Sequence, residues 1–285
     1  MKWVKLIIGL LFCVTVIVCS CHKDHSIEGL TFKKVDTLPV NYPFAKGFCS
    51  ATSLGIPIAD TNDFSDLLPA QLPDSIMLDM PIAGNQGQQG SCTAWATVYA
   101  AGTYSFHKKM GKSYSDTGNL SPKYTYNQIT KGVCVCTSFL DHLYLLKTQG
   151  ACVLNSMPYD PTECAKQPDS LQKLNASTYK ITGWAKVDLH NLTLIKRALN
   201  KKMPVLFGIY VDDGFSHLSA PFIWNKYTGT SGDGHALVIT GYNDSLKAFR
   251  FMNSWSTAWG DNGSAWIDYS FFLKNVMETG YVIIP

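Results

Sequence analysis

The sequence is short of charge: only 16% of its 285 residues are Asp, Glu, Lys or Arg, against 46% that are hydrophobic. Its 24 basic residues nearly balance 21 acidic ones, for a formal net charge of +3, and no dense Lys/Arg run occurs anywhere. Such a chain carries no electrostatic footprint for a polyanion, which excludes nucleic acid as a partner. Internal repeats and low-complexity tracts are also missing, which excludes solenoids and disordered arrays. What the composition does supply is apolar mass, enough for one buried core or two lobes.

No apolar run reaches the ~20 residues that span a bilayer. The N-terminus, MKWVKLIIGLLFCVTVIVCSC, has Lys2 and Lys5, an apolar run from Leu6 to Val18, then small residues and Cys21. That order of parts is an export signal over residues 1–20, with a retained anchor helix as the alternative. Val18-Cys19-Ser20-Cys21 resembles a loose bacterial lipoprotein signal. The resemblance implies acyl chains on Cys21 and a protein tethered to a membrane at the cell envelope, in the periplasm or at the surface. Cys19 fits less well, because Val18 is bulkier than Ser20. From His22 to about residue 71 no helical or strand period is sustained. An inhibitory propeptide and a plain tether are both open readings of this extension.

In LPDSIMLDMPIAGNQGQQGSCTAWATVYAAG, Pro73, Pro81 and Gly84, Gly87 and Gly90 hold the first half in loops. After Ser91, the residues Ala94, Trp95, Val98, Tyr99, Ala101 and Gly102 recur at helical spacing, with Gly111 as the stop. Cys92 therefore stands at a helix N-terminus, where unpaired N–H groups and the helix dipole favour a thiolate. The commoner fate of a free cysteine is burial as a small apolar residue. GDGHALVITGYN puts His235 at the mouth of a strand ending in a glycine turn at Gly241, and RFMNSWSTAWGDNG puts Asn253 after another apolar run. A thiol needs a base, and an imidazole base needs a third group to fix its tautomer. His107 and His217 are rival bases, but His107 is one helix length away and no strand frames it.

These strings resemble the papain and cathepsin cysteine peptidases over roughly residues 72–285. His235 follows Cys92 by 143 positions and Asn253 by 161, and Gln86 precedes it by six. The resemblance implies an α+β fold of two lobes, a helical lobe and a barrel-like antiparallel sheet, with the active-site cleft between them. It implies a Cys92-His235-Asn253 triad with Gln86 at the oxyanion, and substrate contacts from Thr137, Gly234 and Trp255, the last also shielding the histidine. Trp184 and Asp233 are further candidates for the cleft lining. No cofactor or metal is implied, and the expected protein is a monomer acting on peptides or proteins. A catalytically silent papain-fold binder, or an unrelated thiol hydrolase acting on cell-wall peptides, remains the alternative.

Two positions depart from the family signature around the nucleophile. Gln89 stands where the family has a disulfide-forming cysteine, and Thr93 where it has a tryptophan that Trp95 is placed to replace. Thr137 falls near a family glycine that lets substrate backbone approach. Setting aside Cys13 and Cys19 of the signal, Cys21 and Cys92, the nine cysteines leave Cys49, Cys134, Cys136, Cys152 and Cys164. An odd set cannot all pair internally. A Cys152–Cys164 loop is expected, with Cys134 or Cys136 joined to each other or to Cys49. A zinc cage is disfavoured by the short Cys-x-Cys spacing and by oxidising export.

Overall fold

Cys92 opens a long helix because the glycine-rich loop before it ends at Ser91 and small or apolar residues follow without a proline. In the computed structural model this helix runs from α1 (Cys92–Ala94) through a π-helical stretch, Trp95–Gly102, into α2 (Thr103–Met110). It ends at Gly111. The structure describes residues 47–54, 62–64, 71–114, 118–230, 232–277 and 279–285. The export signal, Cys21 and the chain to residue 46 lie outside them. All described residues belong to one unit, 38–285. No helix among them is long and apolar enough to cross a membrane.

Two further helices pack on the first. The α3 helix (Pro122–Thr130) starts with proline in its first turn, and α4 (Phe139–Thr148) is closed by a reciprocal cap between Ser138 and Asp141. The buried face of α4 carries Leu140, Leu143 and Leu146, while Tyr144 is exposed. They join Val98, Phe106, Tyr124 and Phe139 in one apolar cluster. The short α5 (Ser170–Ala176) follows.

The remainder is sheet. A short β1 (Asn62–Asp63) and β2 (Ser75–Met77) precede the helices; β3 (Gly183–Asp188), α6 (Leu192–Asn200), β4 (Val205–Tyr210), α7 (Asp213–Ser216), β5 (Ile223–Trp224), β6 (Gly234–Asn243), β7 (Ala248–Met252), β8 (Ser264–Asp268), α8 (Tyr269–Asn275) and β9 (Thr279–Ile284) follow. The strands form one sheet in the order β1-β3-β9-β4-β6-β7-β8-β5, with β2 on β6 off that path. Most pairs are antiparallel; β1–β3 and β5–β8 are parallel. A second cluster built on Phe207, Phe249, Phe251 and Trp224 fills the sheet lobe. Helices early and strands late thus form the expected two-lobe α+β arrangement.

One strand boundary differs from expectation. Gly241 is not a turn: β6 continues through it to Asn243, with a register irregularity against β7 between Ile239 and Gly241. A Cβ there would collide with the Ile76 carbonyl, so the missing side chain lets β2 lie against the strand.

The α4 N-terminus buries a polar group with consequences for stability. His142 is fully buried, its Nδ1 2.8 Å from Thr125 Oγ1 and its Nε2 2.8 Å from Thr137 Oγ1. Burial pushes its pKa down to about 4, although the Asp141 charge pulls the other way. Between about pH 6.5 and 4 the unfolded chain therefore takes up a proton that the folded chain refuses, so stability falls as pH falls through that window. Urea midpoints should drop on acidification from pH 7 to 4, with a shallower drop in His142→Gln. Parallel pH profiles for the two proteins would refute this account.

Phe215 on α7 is the hub of the aromatic packing, with Trp224, Trp255 and Trp259 at ring distances of 4.8, 5.2 and 4.9 Å. Phe215→Ala should cost about 3–5 kcal/mol of unfolding free energy. Chemical denaturation measures it, and a loss under about 1 kcal/mol would mean that the cluster closes over the gap.

Candidate active site

Sheet register brings two of the predicted residues together. Val238 of β6 pairs with Met252 of β7, so Asn253 leaves β7 beside the start of β6, where His235 stands. His235 Nε2 lies 2.8 Å from Asn253 Oδ1, which also accepts from the Ser254 backbone N–H at 2.8 Å. That backbone donor identifies the amide atom as oxygen, and a carbonyl oxygen only accepts. The imidazole proton is therefore on Nε2, and Nδ1 is the basic nitrogen. The pair is buried: His235 is 0% and Asn253 3% exposed. Trp255 stacks at 4.9 Å from the histidine ring and Phe215 stands at 5.9 Å.

The helix brings the thiol to the same place. The Ala236 N–H, one residue after His235, hydrogen-bonds the Cys92 sulfur, and so does the Gly47 N–H. Burial outweighs both bonds and pushes the Cys92 thiol up to about 11. Burial thus opposes the thiolate that the helix N-terminus favours.

Gln86 is anchored on the far side of the loop. Its Oε1 accepts from Ser254 Oγ at 2.6 Å, its Nε2 donates to the Gln89 carbonyl at 2.9 Å, and its backbone N–H donates to the Ser254 carbonyl at 2.9 Å. Tyr159 ties the same loop, its hydroxyl donating toward the Gln86 carbonyl at 2.9 Å and lying 2.6 Å from Ser91 Oγ. Ser254 and Tyr159 were not foreseen. Ser254 had a signal, standing next to Asn253 in NSW; Tyr159, distant in sequence from the loop, had none.

Thr137 and Gly234 face the cleft through their backbones. The Thr137 N–H donates to the Gly47 carbonyl at 3.2 Å, its carbonyl accepts from the Cys49 N–H at 3.0 Å, and the Gly234 carbonyl accepts from the Phe48 N–H at 3.2 Å. The Thr137 side chain turns inward to His142 and does not narrow the cleft. Trp255, fully buried between His235 and Phe215, serves the histidine. Trp184 is a core residue under the Lys147 ammonium, and the Asp233 carbonyl accepts from the Val211 N–H. The rival histidines are engaged elsewhere, His107 with the Gly118 carbonyl at 3.1 Å and His217 with the Asp213 carbonyl at 3.0 Å.

The signature departures are also accommodated. Thr93 donates to the Thr137 carbonyl at 2.9 Å, which links the helix start to the cleft edge. Trp95 packs on Tyr99 and Tyr159 and against Gly84. Gln89 Nε2 lies 3.8 Å from Cys134 Sγ, whose disulfide runs to Cys164. The expected Cys152–Cys164 bridge is therefore absent: Cys152 is free and buried in the helical lobe. Cys49 pairs with Cys136. With Cys134 and Cys136 in separate disulfides, the pair holds no zinc.

Comparison with known proteins agrees with this arrangement. Residues 79–278 match the model of the papain family cysteine proteases. The chain is 25% identical over 219 residues to an uncharacterized peptidase C1-like protein of Acanthamoeba polyphaga mimivirus, covering 70% of this chain and 68% of that one. It is 27% identical over 179 residues to the gamete and mating-type specific protein A of Dictyostelium discoideum, over 63% of this chain but only 38% of that protein's length. Xylellain, a cysteine protease from Xylella fastidiosa, superposes with a TM-score of 0.74 at 22% identity, over 87% of this chain and 98% of the other. The family match spans well over half of the sequence and contains the Cys92 loop, the His235 strand and the Asn253 loop: this chain belongs to the papain family of cysteine proteases.

Proposed function

We propose that this chain is an exported cysteine endopeptidase, lipid-anchored through Cys21 at the cell envelope, that hydrolyses peptide bonds with a Cys92-His235-Asn253 triad. The observation that carries the reading is the His235–Asn253 hydrogen bond beside the Cys92 sulfur, with the imidazole proton held on Nε2. His235 Nδ1 takes the thiol proton once the cleft is open, and the thiolate attacks a peptide carbonyl. The Gln86 side-chain amide and the Cys92 backbone N–H hold the developing oxyanion. His235 then protonates the leaving amine and activates water to release the acyl-enzyme. Asn253 and Trp255 act through His235, fixing its plane and keeping water from the bond. The Thr137 backbone and the Gly234 carbonyl pair with the substrate main chain, as they pair here with residues 47–49. The anchoring part of the proposal rests on the order of parts in residues 1–21.

A peptidyl epoxide that alkylates papain-type thiols tests the centre. Mass spectrometry should find the adduct on Cys92 under conditions that uncover the cleft, and His235→Ala should lose it. An adduct on Cys152 instead, or none under any condition, would leave a silent fold used for binding. For peptide hydrolysis, Gln86→Ala should lower kcat about 10²–10³-fold with a smaller change in KM. Ser254→Ala frees the Gln86 amide from its anchor and should show a weaker effect of the same kind. An unchanged kcat in Gln86→Ala would remove it from the oxyanion site.

A further inference from the structure

Residues 47–54 lie outside the family-matched span, yet they fill the cleft. Gly47 is buried against the Cys92 sulfur, and its carbonyl accepts from the Thr137 N–H at 3.2 Å and from Thr93 Oγ1 at 3.4 Å. A Cβ at Gly47 would overlap the Gly90 carbonyl, so only glycine passes this close to the loop. The Phe48 ring packs 4.9 Å from Phe139 and fills the space over Gly208, where a Cβ would stand 2.6 Å away. Further along, the Asp141 carboxylate accepts from Thr52 Oγ1, from the Ser53 N–H and Oγ at 3.1 Å each, and from the Leu54 N–H at 3.0 Å. These contacts make a strap that takes the positions a substrate main chain needs.

A covalent bond fastens this strap. Cys49, two residues from Gly47, is joined to Cys136, the residue before Thr137. We infer that the Cys49–Cys136 disulfide is a redox clasp on the cleft: while it is closed the strap excludes substrate from Cys92, and a dithiol reductant opens it. This rests on the peptidase reading of Cys92 given above. With the bond in place, only two residues of chain separate the fixed point from Gly47, so Gly47 stays within about 7 Å of Cys49. Severing the chain after Leu54 would not by itself free the cleft, because Cys136 keeps hold of the strap. Both half-cystines are only partly buried and open to attack. The other bridge, Cys134–Cys164, joins two parts of the family-matched domain and does not hold the strap.

Opening follows thiol–disulfide exchange. One thiolate of the reductant attacks a clasp sulfur, the S–S bond breaks, and the departing cysteine takes a proton. The second thiol of the reductant then attacks the mixed disulfide. The products are the Cys49 and Cys136 thiols and an oxidised, cyclic disulfide form of the reductant, so two electrons and two protons pass to the protein.

The test is the rate of Cys92 labelling by a peptidyl epoxide in the full chain, oxidised or treated with dithiothreitol. Reduction should raise the rate at least about tenfold, the scale on which a disulfide restrains a short segment. Without any reductant, Cys49→Ser and Cys136→Ser should each label at the reduced rate, and dithiothreitol should add nothing further. That arm separates the clasp from a reductant effect on Cys92 itself. Cys134→Ser should keep the slow rate and the response to dithiothreitol. If Cys49→Ser and Cys136→Ser label as slowly as the oxidised parent but speed up in dithiothreitol, or if the oxidised parent is already fast, the clasp is overturned while the peptidase reading stands. Labelling in no arm overturns both.

Discussion

The structure turns on one junction, where the first residue of the long helix meets the first residues of β6 and the Ala236 N–H reaches the Cys92 sulfur. The helix packs in one apolar cluster that also takes in Ala236 and Val238 from one face of β6, while Leu237 and Ile239 on its other face pack in the second. Cys92 starts a helix whose buried face packs with Phe139, Leu143 and Leu146, while His235 starts a strand fixed between β4 and β7. Docking the helix on the sheet brings Cys92 to β6, and the loop bearing Gln86 is pinned to the sheet side by Ser254, so Gln86 is placed by the same docking.

Two electrostatic effects compete at Cys92. Its position at a helix start favours the thiolate, while complete burial favours the neutral thiol. Burial pushes the Cys92 thiol up to about 11, while the N–H groups of Ala236 and Gly47 pull the other way. The reactivity of the thiol therefore depends on how far the sulfur stays buried.

Much of this was legible from sequence because it is local. Helical spacing located the helix after Ser91, and the apolar run that begins after His235 and the one that ends before Asn253 located the strand ends that carry them. What escaped depends on distant contacts. Gly241 reads as a turn until β2 is known to lie on it, since the same glycine suits a turn and a close approach. Cysteine pairing depends on Cα positions that spacing does not supply, so Cys152 and Cys164, near each other in sequence, do not meet, and Cys134 and Cys164 do. Phe215 and Asp141 carried no signal, because an aromatic hub and a buried carboxylate are recognised only by what surrounds them.

The α4 N-terminus joins these pieces. Thr137, whose backbone pairs with the strap, hands its hydroxyl to His142; His142 lies beside Asp141 in the chain; and Asp141 receives the far end of the strap. Burial alone would raise the Asp141 carboxyl, but hydrogen bonds from Thr52, Ser53 and Leu54 hold it below its ordinary value. The charge that anchors the strap is therefore stabilised by the strap, and each supports the other. A threonine at 137 fits this arrangement better than the family's glycine: its backbone still serves the cleft edge, while its side chain ties that edge to the buried histidine behind it. The departure from the family pattern at residue 137 lies in the wall against which residues 47–49 pair.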